Sequence, residues 1–419
     1  MKEDKHLEFK QAVSNTFLKT VSAFANYGGG TILFGVDDKG KAAGFDDPEQ
    51  QCLNVENRIN DSIRPQPAYS ISVNRADRTI SLRVEEGTQK PYFYKAKAYK
   101  RNDTATISVD DLELKRLVLE GEHVNYEALP AKEQELSFDV LARALREQRG
   151  ISRFDRDTLK TLDLYADQTG YNKAAEILAD ENGLPGVDMA KFGETINIIQ
   201  KRATFDHRSV ISAYDEAVAL FRDYYTYEVV DSARRRRLET IPEAAFREAL
   251  ANALIHRQWD VASHVRVFMF DDRVEIISPG GLPNGISADQ YRQGRVSILR
   301  NPVLANVFNR LDMAETFGTG VVRIKEAYAK SVSKPEFEES DCAVRVTLPV
   351  IKADLGITDD ERVVYDKLSR SIAKPMSSIL ASPQMEYGKS KVTGILKSLN
   401  EKGIVKIEGN GRGTKYRLE

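Results

Sequence analysis

The chain has 419 residues, 41% hydrophobic and 30% charged, enough for roughly two to four packed domains. Its 61 basic and 63 acidic side chains leave a net charge of −2, which excludes a histone-like global attraction to nucleic acid and confines any such contact to local patches. Two distant cysteines, Cys52 and Cys342, exclude a thiolate zinc site and a disulfide framework. The charged start MKEDKHLEFK, and the lack of any apolar run of about 18 residues, set the expectation of a cytoplasmic protein with no membrane contact.

Phe17, Val21, Phe24 and Ala25 recur at helical spacing and predict an amphipathic helix over 15–26. Gly28-Gly29-Gly30 stops it, and an apolar strand follows over 31–36. Alternation predicts hairpin strands at 69–73 and 79–84, a strand at 96–100, and a closing helix over 109–120 capped by Asp110. Residues 123–227 are charged and helical in texture. Pro242 opens a helix to Arg257, followed by a hairpin (264–270 and 273–278), helices near 302–311 and 320–330, and a strand at 343–348. A linker is expected over 352–356. Arg234–Arg237 form a cation cluster whose ordinary role is a solvated face.

The last sixty residues read as helices over 359–372, 374–382 and 389–401, then strands over 404–407 and 415–418. Gly409-Asn410-Gly411-Arg412-Gly413 forms the tip between those strands. This order resembles a winged helix-turn-helix. The third helix carries Lys389, Ser390, Lys391, Thr393 and Lys397, cations and short hydroxyls suited to a DNA groove. From Lys389 onward eight Lys/Arg face three Glu, a local excess of five. The glycine-rich tip would let Arg412 and Lys415 approach a phosphate backbone.

At the amino terminus, Glu8-Phe9-Lys10, Ala23-Phe24-Ala25-Asn26 and Gly35-Val36-Asp37-Asp38-Lys39-Gly40 together resemble the Schlafen-type, AlbA-like domain. The family's later Y-x-R signature stands here as Tyr99-Lys100-Arg101. The resemblance implies DNA binding. In eukaryotic Schlafen nucleases two glutamates five apart and an aspartate cleave RNA, and these positions carry over to Glu3, Glu8 and Asp38. The three carboxylates would then hold Mg²⁺ or Mn²⁺ and activate water. Glu8 and Lys10 could equally be a structural ion pair.

In the centre, Glu248, Asn252 and His256 recur every four residues and span about 80° of one helix face. Downstream come Ser278-Pro279-Gly280-Gly281, Arg300-Asn301-Pro302 and Gly318-Thr319-Gly320. The set resembles the ATPase-like domain labelled as a RecG-type helicase carboxy-terminal region, a divergent relative of the gyrase, histidine-kinase and MutL ATPase fold. The resemblance implies Glu248 as catalytic base, Asn252 as Mg²⁺ ligand, His256 beside them, and Gly280, Gly281, Gly318 and Gly320 as a cradle for ATP. The family's base-reading aspartate (D-x-G-x-G) is missing from the Ser278 segment. No GxxxxGK[ST] loop is present, so a P-loop helicase is excluded.

The expected fold is an α+β multidomain chain. It comprises an AlbA/Schlafen-like α/β module (1–122), a helical connector (123–227), a Bergerat-like α/β sandwich (228–351) and a winged helix-turn-helix (357–419). The leading functional expectation is a DNA-binding transcriptional regulator, a homodimer or higher homo-oligomer, with a nucleotide-sensing or dimerising centre. A metal-dependent Schlafen-like nuclease acting on RNA or DNA is the alternative, and a non-catalytic assembly protein is the third.

Overall fold

The computed structural model describes residues 2–231, 234–283, 285–294, 298–314, 318–351, 357–369, 372–382, 385–409 and 411–418, with the backbone alone at 229–231, 234–236 and 412. The chain is mixed α+β and divides into two units. One holds the residues up to Asn182 with Gln258–Ala262 and Leu299–Val307. The other holds Gly183–Arg257, Ser263–Ile298 and the chain from Phe308 onward. No described helix is long and apolar enough to cross a membrane.

In the first unit a four-stranded sheet runs in the order Leu7–Lys10, Gly30–Phe34, Thr79–Val84, Tyr69–Asn74. The first pair is parallel (Leu7 opposite Thr31) and the others are antiparallel. The predicted first helix, Phe17–Asn26, is buried along almost its whole length. Phe17 meets the ring of Phe34 edge-on at 5.2 Å. Val55 and Ile59, from the helix Pro48–Ser62, join the same core. Each such side chain contributes about 1.5–3 kcal/mol by leaving water.

The AFAN motif is explained by packing. Asn26 is fully buried, accepts the Tyr92 amide at 2.8 Å and donates to the Tyr92 carbonyl at 3.0 Å. A Cβ on Gly30 would lie 2.6 Å from the Phe24 ring, so the strand can follow the helix this closely only with glycine there. The closing helix runs Asp111–Gly121, and Asp110 caps it in a reciprocal box with Glu113.

In the second unit a six-stranded sheet runs in the order Ile199–Phe205, Val187–Phe192, Val265–Met269, Arg273–Pro279, Ala343–Pro349, Glu336–Glu339. Its first two strands lie within 123–227, the segment expected as a helical connector. That segment does hold helices Asp139–Arg149, Arg156–Thr161, Lys173–Leu178 and Val210–Tyr225. Yet Val187–Phe192 pairs in parallel with Val265–Met269, nearly eighty residues later by position, and Val187 and Met189 are fully buried there. The predicted hairpin forms as Val265–Met269 with Arg273–Pro279.

The central helix is Glu243–Ile255, with Pro242 at its N-cap. Its Phe246 ring stacks on Phe221 of the helix Val210–Tyr225 at 4.0 Å. Thr226–Asp231 and Arg234–Glu239 form a separate two-stranded ribbon. The side chains of Arg234–Arg236 lie outside the described residues, and Arg237 pairs with Glu243 at 2.7 Å.

The expected linker over 352–356 lies outside the described residues. Beyond it come helix Asp359–Tyr365, strand Lys374–Pro375, helix Met376–Leu380, helix Lys389–Glu401 and strands Val405–Glu408 and Lys415–Leu418. The three strands pair in the order Lys374–Pro375, Lys415–Leu418, Val405–Glu408. Lys374 therefore opens a strand, not the helix expected over 374–382. Pro375 lacks an N–H and suits a sheet edge. Val364, Ile379, Val392, Leu396 and Leu399 make a small core of their own.

Candidate functional site

The amino-terminal carboxylates do not form a metal cage. Among the described residues no group of three His, Cys, Asp or Glu is placed to hold a metal ion. Glu3 accepts the Phe9 amide at 2.7 Å. Glu8, only 4% exposed, accepts from Arg101 Nη1 at 2.7 Å and pairs with Lys10 at 2.5 Å. Arg101 is itself buried and also donates to the Asp4 carbonyl and the Thr106 hydroxyl, both at 3.1 Å. Asp38 is exposed in the turn after the second strand, while Asp37 shapes that turn by accepting the Lys39 and Lys41 amides. A cation at Glu8 would have to displace two positive side chains from a buried position. These residues do not fit Mg²⁺ or Mn²⁺.

On the central helix Glu248 is buried, 8% exposed, and accepts from Asn252 Nδ2 at 3.0 Å. The first turn of the helix Gly320–Ala327 closes over this pair. A Cβ at Gly320 would overlap both Asn252 Nδ2 and Glu248 Oε1. Asn252 and His256 line a cavity of about 100 Å³ with Gly280, Gly281, Gly318 and Gly320 at its rim. Burial pushes the phenol of Tyr291, another wall residue, above its ordinary pKa.

The glycines have packing duties. Gly280, at φ +98°, donates its amide to the Cys342 carbonyl at 2.8 Å. A Cβ at Gly281 would lie 2.7 Å from the Ser340 carbonyl and 2.9 Å from that of Asp341. Ser278, where the family's base-reading aspartate is missing, donates its hydroxyl to the Ala253 carbonyl at 2.7 Å. No Lys, Arg, Asp or Glu lines the cavity among the described residues. This chamber does not fit ATP with Glu248 as base and Mg²⁺ on Asn252, the roles carried over for them from the resemblance.

On the carboxy-terminal helix, Val392, Ile395, Leu396 and Leu399 point into the core while Lys389, Ser390, Thr393 and Lys397 are exposed. Thr393 donates its hydroxyl to the Lys389 carbonyl at 2.8 Å. Lys397 reaches Glu401 only at 3.9 Å. Lys391 is also exposed but engaged: it pairs with Asp360 at 2.8 Å and lies 3.8 Å over the Tyr387 ring. That pairing raises its pKa and lowers that of Asp360. Lys415 is exposed on the final strand, and the Arg412 side chain lies outside the described residues.

Residues 3–110 match the family described as Schlafen, AlbA_2, and residues 262–348 match the one described as Putative ATP-dependent DNA helicase recG C-terminal. The chain joins a Schlafen AlbA_2 domain to a recG C-terminal domain. Glu3, Glu8, Asp38 and Arg101 all lie in the Schlafen AlbA_2 segment, whereas the helix carrying Glu248 and Asn252 precedes the recG-type match.

A crystal structure of the DIP2311 protein from Corynebacterium diphtheriae is similar over 99% of this chain and 92% of that one, at 17% identity and a TM-score of 0.50, a likeness of fold. A solution structure of the N-terminal domain of a putative ATP-dependent DNA helicase RecG-related protein from Nitrosomonas europaea aligns with 25% of this chain and 79% of that one. Its identity is 23% and its TM-score 0.20. No curated protein matches the chain.

Sequence reasoning missed two features of these sites. Arg101 was quoted only as part of a signature, although a buried arginine requires an anionic partner. The apolar walls of the central cavity, among them Ile276 and Val344, carried no polar signal that could have marked them.

Proposed function

We propose that the protein is a cytoplasmic DNA-binding transcriptional regulator, acting as a homodimer, whose last sixty residues are a winged helix-turn-helix. The observation that carries this reading is the exposed face of the helix Lys389–Glu401. Ser390, Thr393, Gly394 and Lys397 lie on one side, opposite the apolar face that fills the core. An added Cβ at Gly394 would meet nothing within 4 Å, so a second backbone can come close there. Small hydroxyl residues flanked by cations suit base edges and phosphates in a major groove. The Schlafen AlbA_2 domain adds a second nucleic-acid contact, the function its resemblance implies. The nuclease reading needs Glu8 on a divalent cation, and the Arg101 and Lys10 partners of Glu8 oppose it.

The test is gel shift and anisotropy with duplex DNA across a salt series. Reversing Lys389, Lys397 and Lys415 to Glu should weaken binding and flatten the salt slope by roughly two to three, since each lost phosphate contact removes about 0.9. Unchanged affinity and slope in the folded triple variant would remove this surface from the reading.

A further inference from the structure

We propose that the cavity beside the central helix is a pocket for a small, uncharged, mainly apolar molecule of about one ring, and not for a nucleoside triphosphate. The binding stands on the cavity alone; only its meaning as an effector site rests on the regulator reading.

Size is the first argument. Protein interiors are close-packed and hold few voids larger than a water molecule. The cavity of about 100 Å³ opens partly to solvent, so its size limits the part of a guest that can be buried. Cofactor and drug-sized sites run to roughly 300–1,000 Å³, whereas an apolar cavity of about 150 Å³ takes benzene. One ring, or a short branched chain, is the upper bound.

Chemistry is the second. The walls are built by aliphatic side chains such as Ile276, Ile286, Ile324, Val344 and Val346. No charged side chain is among the described lining residues. A triphosphate carries several negative charges and would pay their desolvation without a counter-charge from the described lining residues. The Gly280 amide is already bonded to the Cys342 carbonyl, and the carbonyls of Ser340 and Asp341 fill the space beside Gly281 where a side chain would stand. Where a purine would be read, the Ser278 hydroxyl turns away to the Ala253 carbonyl. Where phosphates and Mg²⁺ would sit, the Gly320 backbone rests on Asn252 and Glu248. Asn252 remains on one wall, its side-chain oxygen placed to meet a single N–H or O–H at the edge of an otherwise apolar ring.

The experiment uses the full chain with phenol and indole as probes and ATP with Mg²⁺ in parallel. It reads calorimetric binding and methyl NMR shifts of Ile276, Ile324 and Val344. Expected is saturable binding of at least one probe that shifts those methyls, with no shift from ATP. Ala249→Leu, which fills the cavity from the buried helix face, should weaken the probe by about ten-fold or more while keeping the melting temperature. If that variant does not fold, Ile286→Ala serves instead; by enlarging the chamber it should favour indole over phenol. The proposal is overturned if neither probe binds at millimolar concentration. It is equally overturned if Ala249→Leu folds and binds as wild type, or if ATP binds and Asn252→Ala removes it. Loss of DNA binding leaves the pocket intact and strikes only the regulator reading, so the two failures are distinguishable.

Discussion

Glu127→Gln should stabilise the first unit at pH 8 and weaken it slightly at pH 5. Glu127 is fully buried in the short turn Tyr126–Ala128. Its two oxygens accept the amides of Val303 at 2.5 Å and Leu304 at 3.0 Å, in the first turn of the helix Pro302–Arg310. Those amides favour the anion, but burial outweighs them and pushes the carboxyl up from 4.5 to about 7. Below pH 4.5 the group is protonated whether the chain is folded or not, and its contribution is fully present. As pH rises toward 7 the unfolded chain ionises first, and stability falls. At ~1.4 kcal/mol per unit of pH, the interval from 4.5 to about 7 amounts to roughly 3 kcal/mol lost by pH 8.

Glutamine escapes that loss. It keeps one acceptor oxygen but turns an amide N–H₂ toward the other backbone donor, at a cost of about 1 kcal/mol. The net expectation is a gain of roughly 2 kcal/mol at pH 8 and a loss of only about 0.3 kcal/mol at pH 5, where wild type has itself already lost about 0.7. Denaturant unfolding of both proteins at the two pH values measures it, with hydrogen exchange at the Val303 and Leu304 amides as the local readout. Equal destabilisation at both pH values would refute the reasoning: the carboxylate would then be ionised throughout and held by the helix amides.

Two further substitutions test the packing of the candidate sites. Gly320→Ala gains about 1 kcal/mol of helix propensity but overpacks against Asn252 and Glu248 at about 1–3 kcal/mol, so a net loss near 1 kcal/mol is expected. The loss should shrink in an Asn252→Ala background, and an undiminished cost in thermal melts would dissolve that contact. Glu8→Gln leaves Arg101 buried without its anion and should cost about 3–5 kcal/mol; a wild-type melting curve would instead free Glu8 for a catalytic role.

The helices Phe17–Asn26 and Glu243–Ile255, the strand pair Tyr69–Asn74 with Thr79–Val84, and the Asp110 cap were legible in the sequence because each is dictated locally. Periodicity, a capping side chain and a turn residue all act within a few positions. Local pattern also marked the carboxy-terminal helix, whose apolar and polar faces separate cleanly at 3.6 residues per turn. The strand Val187–Phe192 was not legible. Asp188 and Lys191 break its apolar run, and it is a strand because Val265–Met269 offers a parallel partner and Asp271 a counter-charge for the buried Lys191.

Residue identity likewise left the sites undecided. Glu8 has the spacing of a metal ligand and also of an ion pair; Arg101, ninety-three positions away, decides for the pair. Gly281 and Gly320 could have cradled a phosphate or admitted a neighbouring backbone or side chain, and a sequence writes both as glycine. Only the fold shows what occupies the space a Cβ would have filled: the carbonyls of Ser340 and Asp341 in one case, Asn252 and Glu248 in the other. Chemistry along the chain names the groups a site can use, but which charge is already neutralised, and which amide already bonded, depends on contacts between residues far apart in sequence.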